Sequence, residues 1–360
     1  MIPSLLAREI RTSIADFLTT EFRPATPRFQ GLIEQFLQQP EAVFKGPYLS
    51  IGLPFRQGTV GKDYFPDVPM AFSPHRHQQL AFARLQAPQY QSTLVATGTG
   101  SGKTECYMLP ILDYCYQNRE QQGIKAILIY PMNALATDQA KRLASLSWHN
   151  PNLKGKVSAG LFVGESEREP KILMGEDHLI TDKNLLRQNP PDIILTNYKM
   201  LDYLLIRPRD QQIWANNTPD TLRYLVVDEI HTFDGAQGTD LACLIRRLKA
   251  RLKTPAQHLV CVGTSATLGT GNAKQEMLAY AQTVFNEPFD ETAIIEEDRL
   301  SSAEFLADAF IDPLPIPSPA VIEQLNPNYY SSLETYLESQ YELWFHRSLD
   351  GTFTNIETRI

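Results

Sequence analysis

The chain has 360 residues, 43% of them apolar and 10% aromatic, with 41 acidic against 33 basic side chains and a net charge of −8. Such a composition can bury a real core, which excludes wholesale disorder, and its acidity excludes a chain that coats nucleic acid by bulk charge, though not one with a local groove. No apolar run approaches the roughly 20 residues that span a bilayer, and the N-terminus MIPSLLAREIRTS is charged too early for a signal-peptide core, so no membrane partner and a cytoplasmic location are expected.

In chain order, residues 1–65 alternate helical and loop signals. Leu5, Ile10, Ile14 and Leu18 repeat near helical spacing, as do Phe29, Leu32, Ile33 and Phe36. The stretch GPYLSIGLPFRQG reads as extended, punctuated by Gly and Pro. Within residues 66–285, short β-rich runs (STLVA, AILIY, VSAGLFV, DIILT, RYLVV, HLVCV) alternate with helical stretches. That alternation predicts an α/β fold, a parallel sheet flanked by helices. After RYLVVDEIH, the residues Leu241, Leu244, Ile245, Leu248 and Leu252 form one helical stripe. Arg246, Arg247, Lys249 and Arg251 then fall on solvated faces.

Residues 286–360 change character, as a linker or the start of an insertion containing β structure. NEPFDETAIIEEDRL is acidic, DPLPIPSPA is proline-rich and extended, and ELWFHRSLDGTFTNI reads as a hairpin turning at Asp350-Gly351. Cys106, Cys115, Cys243 and Cys261 show neither CxxC pairing nor a histidine at zinc spacing, so reduced, buried thiols are expected.

Chemistry concentrates first in VATGTGSGKTEC. STLVA supplies a strand, TGTGSG a loop and KTECYMLPILDYC a helix. Glycines let backbone N–H groups of Thr99, Gly100, Ser101 and Gly102 curl around an anion, and the helix N-terminus adds its positive end. Lys103 can reach the β- and γ-phosphates of ATP, and Thr104 can place its hydroxyl on Mg²⁺. The strict pattern G-x-x-x-x-G-K-[ST] is not met, because Thr97 stands where the first glycine belongs.

RYLVVDEIH ends a strand with Asp228, Glu229 and His231. Asp228 is placed to hold the magnesium shell, and Glu229 to orient and polarise an attacking water. Upstream, PHRHQQLAF brings Gln78, whose amide could read an adenine edge. Downstream, Ser265-Ala266-Thr267 follows another strand. Taken singly, a surface residue and a capping serine are the ordinary readings of Gln78 and Ser265, whereas GKT between a strand and a helix points to phosphate binding over a plain glycine turn, and DEIH alone is moderately specific against a solvated strand end.

As an ordered set, HQxxAF, TGTGSGKT, DEIH and SAT resemble the first RecA-like lobe of superfamily 2 helicases of the DEAD/DEAH-box type, over roughly Pro74 to Phe285. The resemblance implies an ATP hydrolase with Gln78 as adenine reader and TGTGSGKT as motif I, where the missing first glycine is common. DEIH becomes the Walker B motif, and His231, Ser265 and Thr267 couple nucleotide state to movement. YPMNALATDQAKRL and PPDIILTNYKMLDYLL resemble motifs Ia and Ib, which puts Pro131, Met132, Asn133, Thr196 and Asn197 against a nucleic-acid backbone. In wording these segments are most similar to bacterial DNA helicases of the Mrf type and to helicases of phage defence, so single-stranded DNA is expected over RNA.

No QxxGRxxR-like stretch follows SAT, residues 286–360 are too few for a second lobe, and the zinc-binding cysteines of Mrf-type relatives are missing. The expectation is a piece of a longer motor, or a one-lobe chain that meets a second RecA-like lobe on another chain. The terminal hairpin resembles an insertion that precedes the second lobe. Alone, the 360 residues should hydrolyse ATP very slowly. The competing function is a nucleotide-dependent scaffold that recruits partners without unwinding.

Overall fold

The computed structural model describes residues 3–37, 52–98, 100–164, 169–266, 272–307 and 326–345. They form two compact units, 1–53 with 302–360, and 54–301. The first holds helices α1 (Pro3–Glu21) and α2 (Leu32–Leu37), where the N-terminal periodicities predict them.

The second unit carries α3 (Arg76–Leu85), β1 (Thr93–Ala96), α4 (Lys103–Gln117), β2 (Ala126–Tyr130), α5 (Asn133–His149), β3 (Ala159–Phe162), α6 (Lys183–Gln188), β4 (Ile193–Asn197), α7 (Tyr198–Ile206), β5 (Tyr224–Val227), α8 (Gly235–Leu252), β6 (Val260–Ser265), α9 (Ala273–Phe285) and β7 (Ile294–Glu296). The strands form one sheet in the order β3-β4-β2-β5-β6-β1-β7, with every pairing parallel. The six expected runs are six of these strands. Their unbroken apolar character follows from burial on both faces: all residues of β1, β2, β3, β5 and β6 are buried.

Two cores result. Ala126, Leu128 and Tyr130 of β2 join Phe82, Leu112 and Leu143 of α3, α4 and α5. Ile127 and Ile129, pointing the other way, join Leu204, Ile245 and Phe285 of α7, α8 and α9. Three cysteines are buried, and Cys243 is exposed on α8. The cations of α8 do more than face solvent. Arg247 pairs with Asp202 of α7 at 2.6 Å, Arg246 donates to the Thr283 carbonyl of α9, and Lys249 pairs with Glu287 just beyond it at 2.6 Å.

The compact unit is wider than the 66–285 span. Phe55 and Gln57 make antiparallel bridges to Arg299 and His75, so the described end of the extended stretch is pinned to the lobe. At the other end, β7 pairs with β1. The described part of 286–360 beyond it is helical: α10 (Ser302–Phe305), a 3-10 turn (Pro327–Tyr329) and α11 (Leu333–Phe345). The hairpin reading is corrected in its first arm, because Glu342–Phe345 continue α11. DPLPIPSPA and Asp350-Gly351 lie outside the described residues. Among the described residues, no helix is long and apolar enough to cross a membrane.

Asp113 in α4 is 7% exposed, and burial pushes its carboxyl up to about 6, helped by the charge of Asp67. Its native pKa lies above the unfolded value, so the group opposes folding progressively from about pH 4 to pH 6 and fully above that. At 1.36 kcal/mol per unit the shift is worth about 3 kcal/mol before solvent screening, and with that discount Asp113→Asn is expected to raise stability by about 2 kcal/mol at pH 7.5, with the gain vanishing near pH 4. Urea unfolding of both proteins at the two pH values measures it.

Candidate nucleotide site

In an all-parallel sheet every strand ends on the same edge. The register sets Ala96 beside Ser265 and Val227 beside Gly263, so the segments following β1, β5 and β6 emerge as neighbours. Lys103, the first residue of α4, donates to Glu229 Oε1 at 3.2 Å and to the Ser265 carbonyl at 3.0 Å. Residues from both motifs line one cleft of about 420 Å³, together with Gln78, Thr104 and Asp228.

The loop before Lys103 is shaped by positive φ at Gly100 (82°) and Gly102 (80°). Gly102 caps α4 with a left-handed backbone that favours glycine, and a side chain there would also push the Gln78 amide off the Gly102 carbonyl. Thr97, the apparent departure from the strict pattern, is buried, and its hydroxyl accepts a 2.7 Å hydrogen bond from Ser101 Oγ. A glycine could not make that contact. Thr99 lies outside the described residues.

Gln78 is buried and bonded at both ends. Its Oε1 accepts the His75 N–H at 2.9 Å, and its Nε2 donates to the Gly102 carbonyl at 3.1 Å. It braces the loop with one lone pair and one N–H of an amide that carries two of each.

The acids are fixed by a residue that the motifs do not name. Thr264 Oγ1 donates to Asp228 Oδ1 at 2.5 Å and accepts the Glu229 N–H at 2.9 Å. Burial pushes the Asp228 carboxyl up, against the lowering effect of Thr264 and Lys103. Glu229 takes a left-handed backbone (φ 49°), rare for a side-chain-bearing residue and typical of functional sites. His231 Nδ1 lies 3.0 Å from Ser265 Oγ and 3.5 Å from Glu229 Oε2. Thr267 lies outside the described residues. A hydroxyl (Thr104) and a carboxylate (Asp228) on one cleft are the hard oxygen donors that suit Mg²⁺.

A second overlooked residue is Arg142. It lines the cleft and pairs with the nearly buried Glu105 of α4. The signal was available as helical spacing, since Leu135, Gln139 and Arg142 share the cleft-facing side of α5.

The motif Ia and Ib positions divide. Met132 is 63% exposed, and Asn133 Oδ1 accepts from Asn197 Nδ2 at 2.7 Å, joining the starts of α5 and α7. Asn197 also caps α7 through the Met200 N–H. Thr196 is a correction. It is fully buried in β4, with its hydroxyl donating to the Phe162 carbonyl, and offers no side chain to a strand of nucleic acid.

A family profile described as DEAD/DEAH box helicase matches residues 75–275, more than half of the chain. The Druantia protein DruE of Escherichia coli (strain UMEA 4076-1) is 26% identical over 357 aligned residues, covering 68% of this chain and 19% of that protein. The uncharacterized ATP-dependent helicase YprA of Bacillus subtilis (strain 168) is 30% identical over 204 residues, covering 57% and 24%. A crystal structure of the DUF1998 helicase MrfA bound to DNA superposes with a TM-score of 0.46 at 25% identity, covering 62% and 27%. The chain spans about a fifth to a quarter of the length of these two curated relatives. It belongs to the DEAD/DEAH box helicase family.

Thr264→Val keeps the shape of the side chain and strands the Glu229 amide, so it is expected to cost about 2 kcal/mol of stability. Thr264→Ser, which keeps the hydroxyl, should cost less than half of that in the same denaturant titration.

Proposed function

We propose that this helicase-family chain is the ATP-hydrolysing motor lobe of a superfamily 2 helicase or translocase that moves along single-stranded DNA in preference to RNA. It works in the cytoplasm against a second RecA-like lobe, in the same or another chain. The observation that carries this reading is the Lys103–Glu229 contact at 3.2 Å, which brings motifs 126 residues apart to one cleft.

In this reading the loop amides and the N-terminus of α4 hold the phosphate chain of ATP, and Lys103 moves from Glu229 onto the β- and γ-phosphates. Thr104 and Asp228 would hold magnesium brought in with the nucleotide, which would supply neutralisation of phosphate charge. Glu229, freed of the ammonium, orients and polarises the attacking water. His231 bridges Glu229 to Ser265, so the state of the carboxylate is felt at the end of β6, where Ser265 and Thr267 couple it to movement. Gln78 reads adenine with the second N–H and the second lone pair of its amide.

The N-termini of α5 and α7, tied by Asn133 and Asn197, turn their amides toward the nucleic-acid backbone beside Pro131 and Met132. Contacts of this type are made to phosphate and sugar and confer slight sequence preference. The choice of DNA, and a setting in DNA repair or antiviral defence, rest on the wording of the motif Ia and Ib segments. The second lobe supplies an arginine finger, typically worth about 10³–10⁵ in rate.

Steady-state ATPase assays with single-stranded DNA and RNA side by side test the reading. The 360-residue chain alone should turn over at a small fraction of a two-lobe protein, and robust DNA-stimulated turnover by it would overturn the need for a second lobe. Lys103→Ala in a two-lobe protein should abolish hydrolysis and strand movement. Unchanged function in that variant would favour the nucleotide-dependent scaffold.

A further inference from the structure

Strand β7 sets Glu296 beside Ala96 of β1, so Glu297 leaves the sheet alongside the start of the phosphate loop. Its Oε2 accepts the Gly98 N–H at 3.1 Å, and its Oε1 accepts from Arg299 Nε at 3.0 Å. The Arg299 guanidinium lies over the Phe55 ring at 4.0 Å, and that ring packs against His75 and His77. His77 is fully buried, with Nε2 2.8 Å from the Ser101 carbonyl. One cluster thus holds the loop at two points, Gly98 and Ser101, through Glu297 and His77, neither of which lines the cleft.

The cluster is framed by backbone. Arg56 N–H donates to the Asp298 carbonyl at 2.7 Å, and Leu300 N–H to the Pro54 carbonyl at 3.0 Å. Asp298 receives Arg56 and Arg76, each at 3.2 Å. A loop with glycines at 98, 100 and 102 has wide backbone freedom, and an anion that had to order it would bind correspondingly less tightly.

We propose that Glu297 is a positioning residue of the nucleotide site: anchored by Arg299 on Phe55, it holds the Gly98 amide and keeps the phosphate loop in its anion-cradling shape. The proposal rests on the nucleotide reading of the cleft. It makes an unusual demand on sign. A carboxylate beside a phosphate site repels the ligand by simple Coulomb interaction, so its removal would tighten binding if charge were its only effect. Positioning predicts the reverse.

The test is equilibrium binding of fluorescent N-methylanthraniloyl-ATP to the full 360-residue chain, with thermal melts and amide hydrogen exchange over residues 96–104. Glu297→Ala is expected to weaken binding about tenfold, the scale of one charge-assisted hydrogen bond, and to speed exchange in the loop. Glu297→Gln keeps an oxygen acceptor for Gly98 and should stay within threefold of the parent. Arg299→Ala, which leaves the carboxylate but removes its anchor, should weaken binding about threefold and serves if Glu297→Ala fails to fold. Binding by Glu297→Ala that is unchanged within twofold, or tighter, overturns the proposal, as does an unchanged affinity in Arg299→Ala. Lys103→Ala, expected to bind far more weakly than either, marks the floor. No saturable binding by the unaltered chain would bring down the nucleotide reading itself, and this proposal with it.

Discussion

A lysine ammonium set inside a cleft has to be met by oxygen. Lys103 is 15% exposed, and its two partners, the Glu229 carboxylate and the Ser265 carbonyl, come from the ends of β5 and β6. The contact exists because β6 lies between β5 and β1. An order that set β1 far from β5 and β6 would put the lysine's helix and the acids at separate places along the sheet edge. Such a half-buried pair is weak evidence for stability, since desolvation offsets much of the attraction. Its value is spatial: it brings a cation, two carboxylates and a helix N-terminus around one space.

Holding Glu229 in that position has a conformational cost. A left-handed backbone at a non-glycine residue costs on the order of 1–3 kcal/mol and persists only where its surroundings determine it. Here they do. Its amide is taken by Thr264, and its carbonyl accepts from the Thr232 hydroxyl and amide. Thr264 joins both acids to β6 through one hydroxyl, so a shift of the β6 end reaches Asp228 and Glu229 together. In the proposed motor, coupling between the SAT segment and the acidic motif would run through this residue, which stands just before that segment.

Much of this architecture is legible from sequence because unbroken apolar runs bounded by polar loops have few solutions in a parallel sheet. The glycine-rich loop and DEIH stand out for another reason: closely spaced glycines before GKT free backbone amides, and adjacent acids at a strand end supply carboxylates, so each pattern carries its chemistry in its composition. Four features do not show in the sequence. β7 hides within AIIEED, where acids mask a three-residue strand that is stabilised by pairing with β1. Thr264 hides inside an apolar strand, where nothing local separates a structural hydroxyl from a bridging one. Thr196 was given a nucleic-acid contact because motif resemblance supplies positions but not burial. ELWF continues α11 because the helical repeat begun by Leu333, Tyr336 and Leu337 outweighs the aromatic β-propensity of the segment.

The same strand order explains why the other edge of the sheet, although basic, is a poor place for an anion. A cavity of about 640 Å³ opens there, lined by Arg119, Lys154 and Lys156. Charge alone would suggest a phosphate site, but α4 and α5 end at that edge and present carbonyl groups to it. The cations answer to the fold. Arg119 donates to the Tyr116 carbonyl in the last turn of α4, Lys154 lies over the Trp148 ring at the end of α5, and Asp192 is taken up by the buried Lys125 and by Ser158. At the opposite edge α4, α5 and α7 begin, and their N–H groups point outward. A parallel sheet therefore sorts its helix dipoles as it sorts its strand ends, and an anion entering this lobe meets donors on one edge and acceptors on the other.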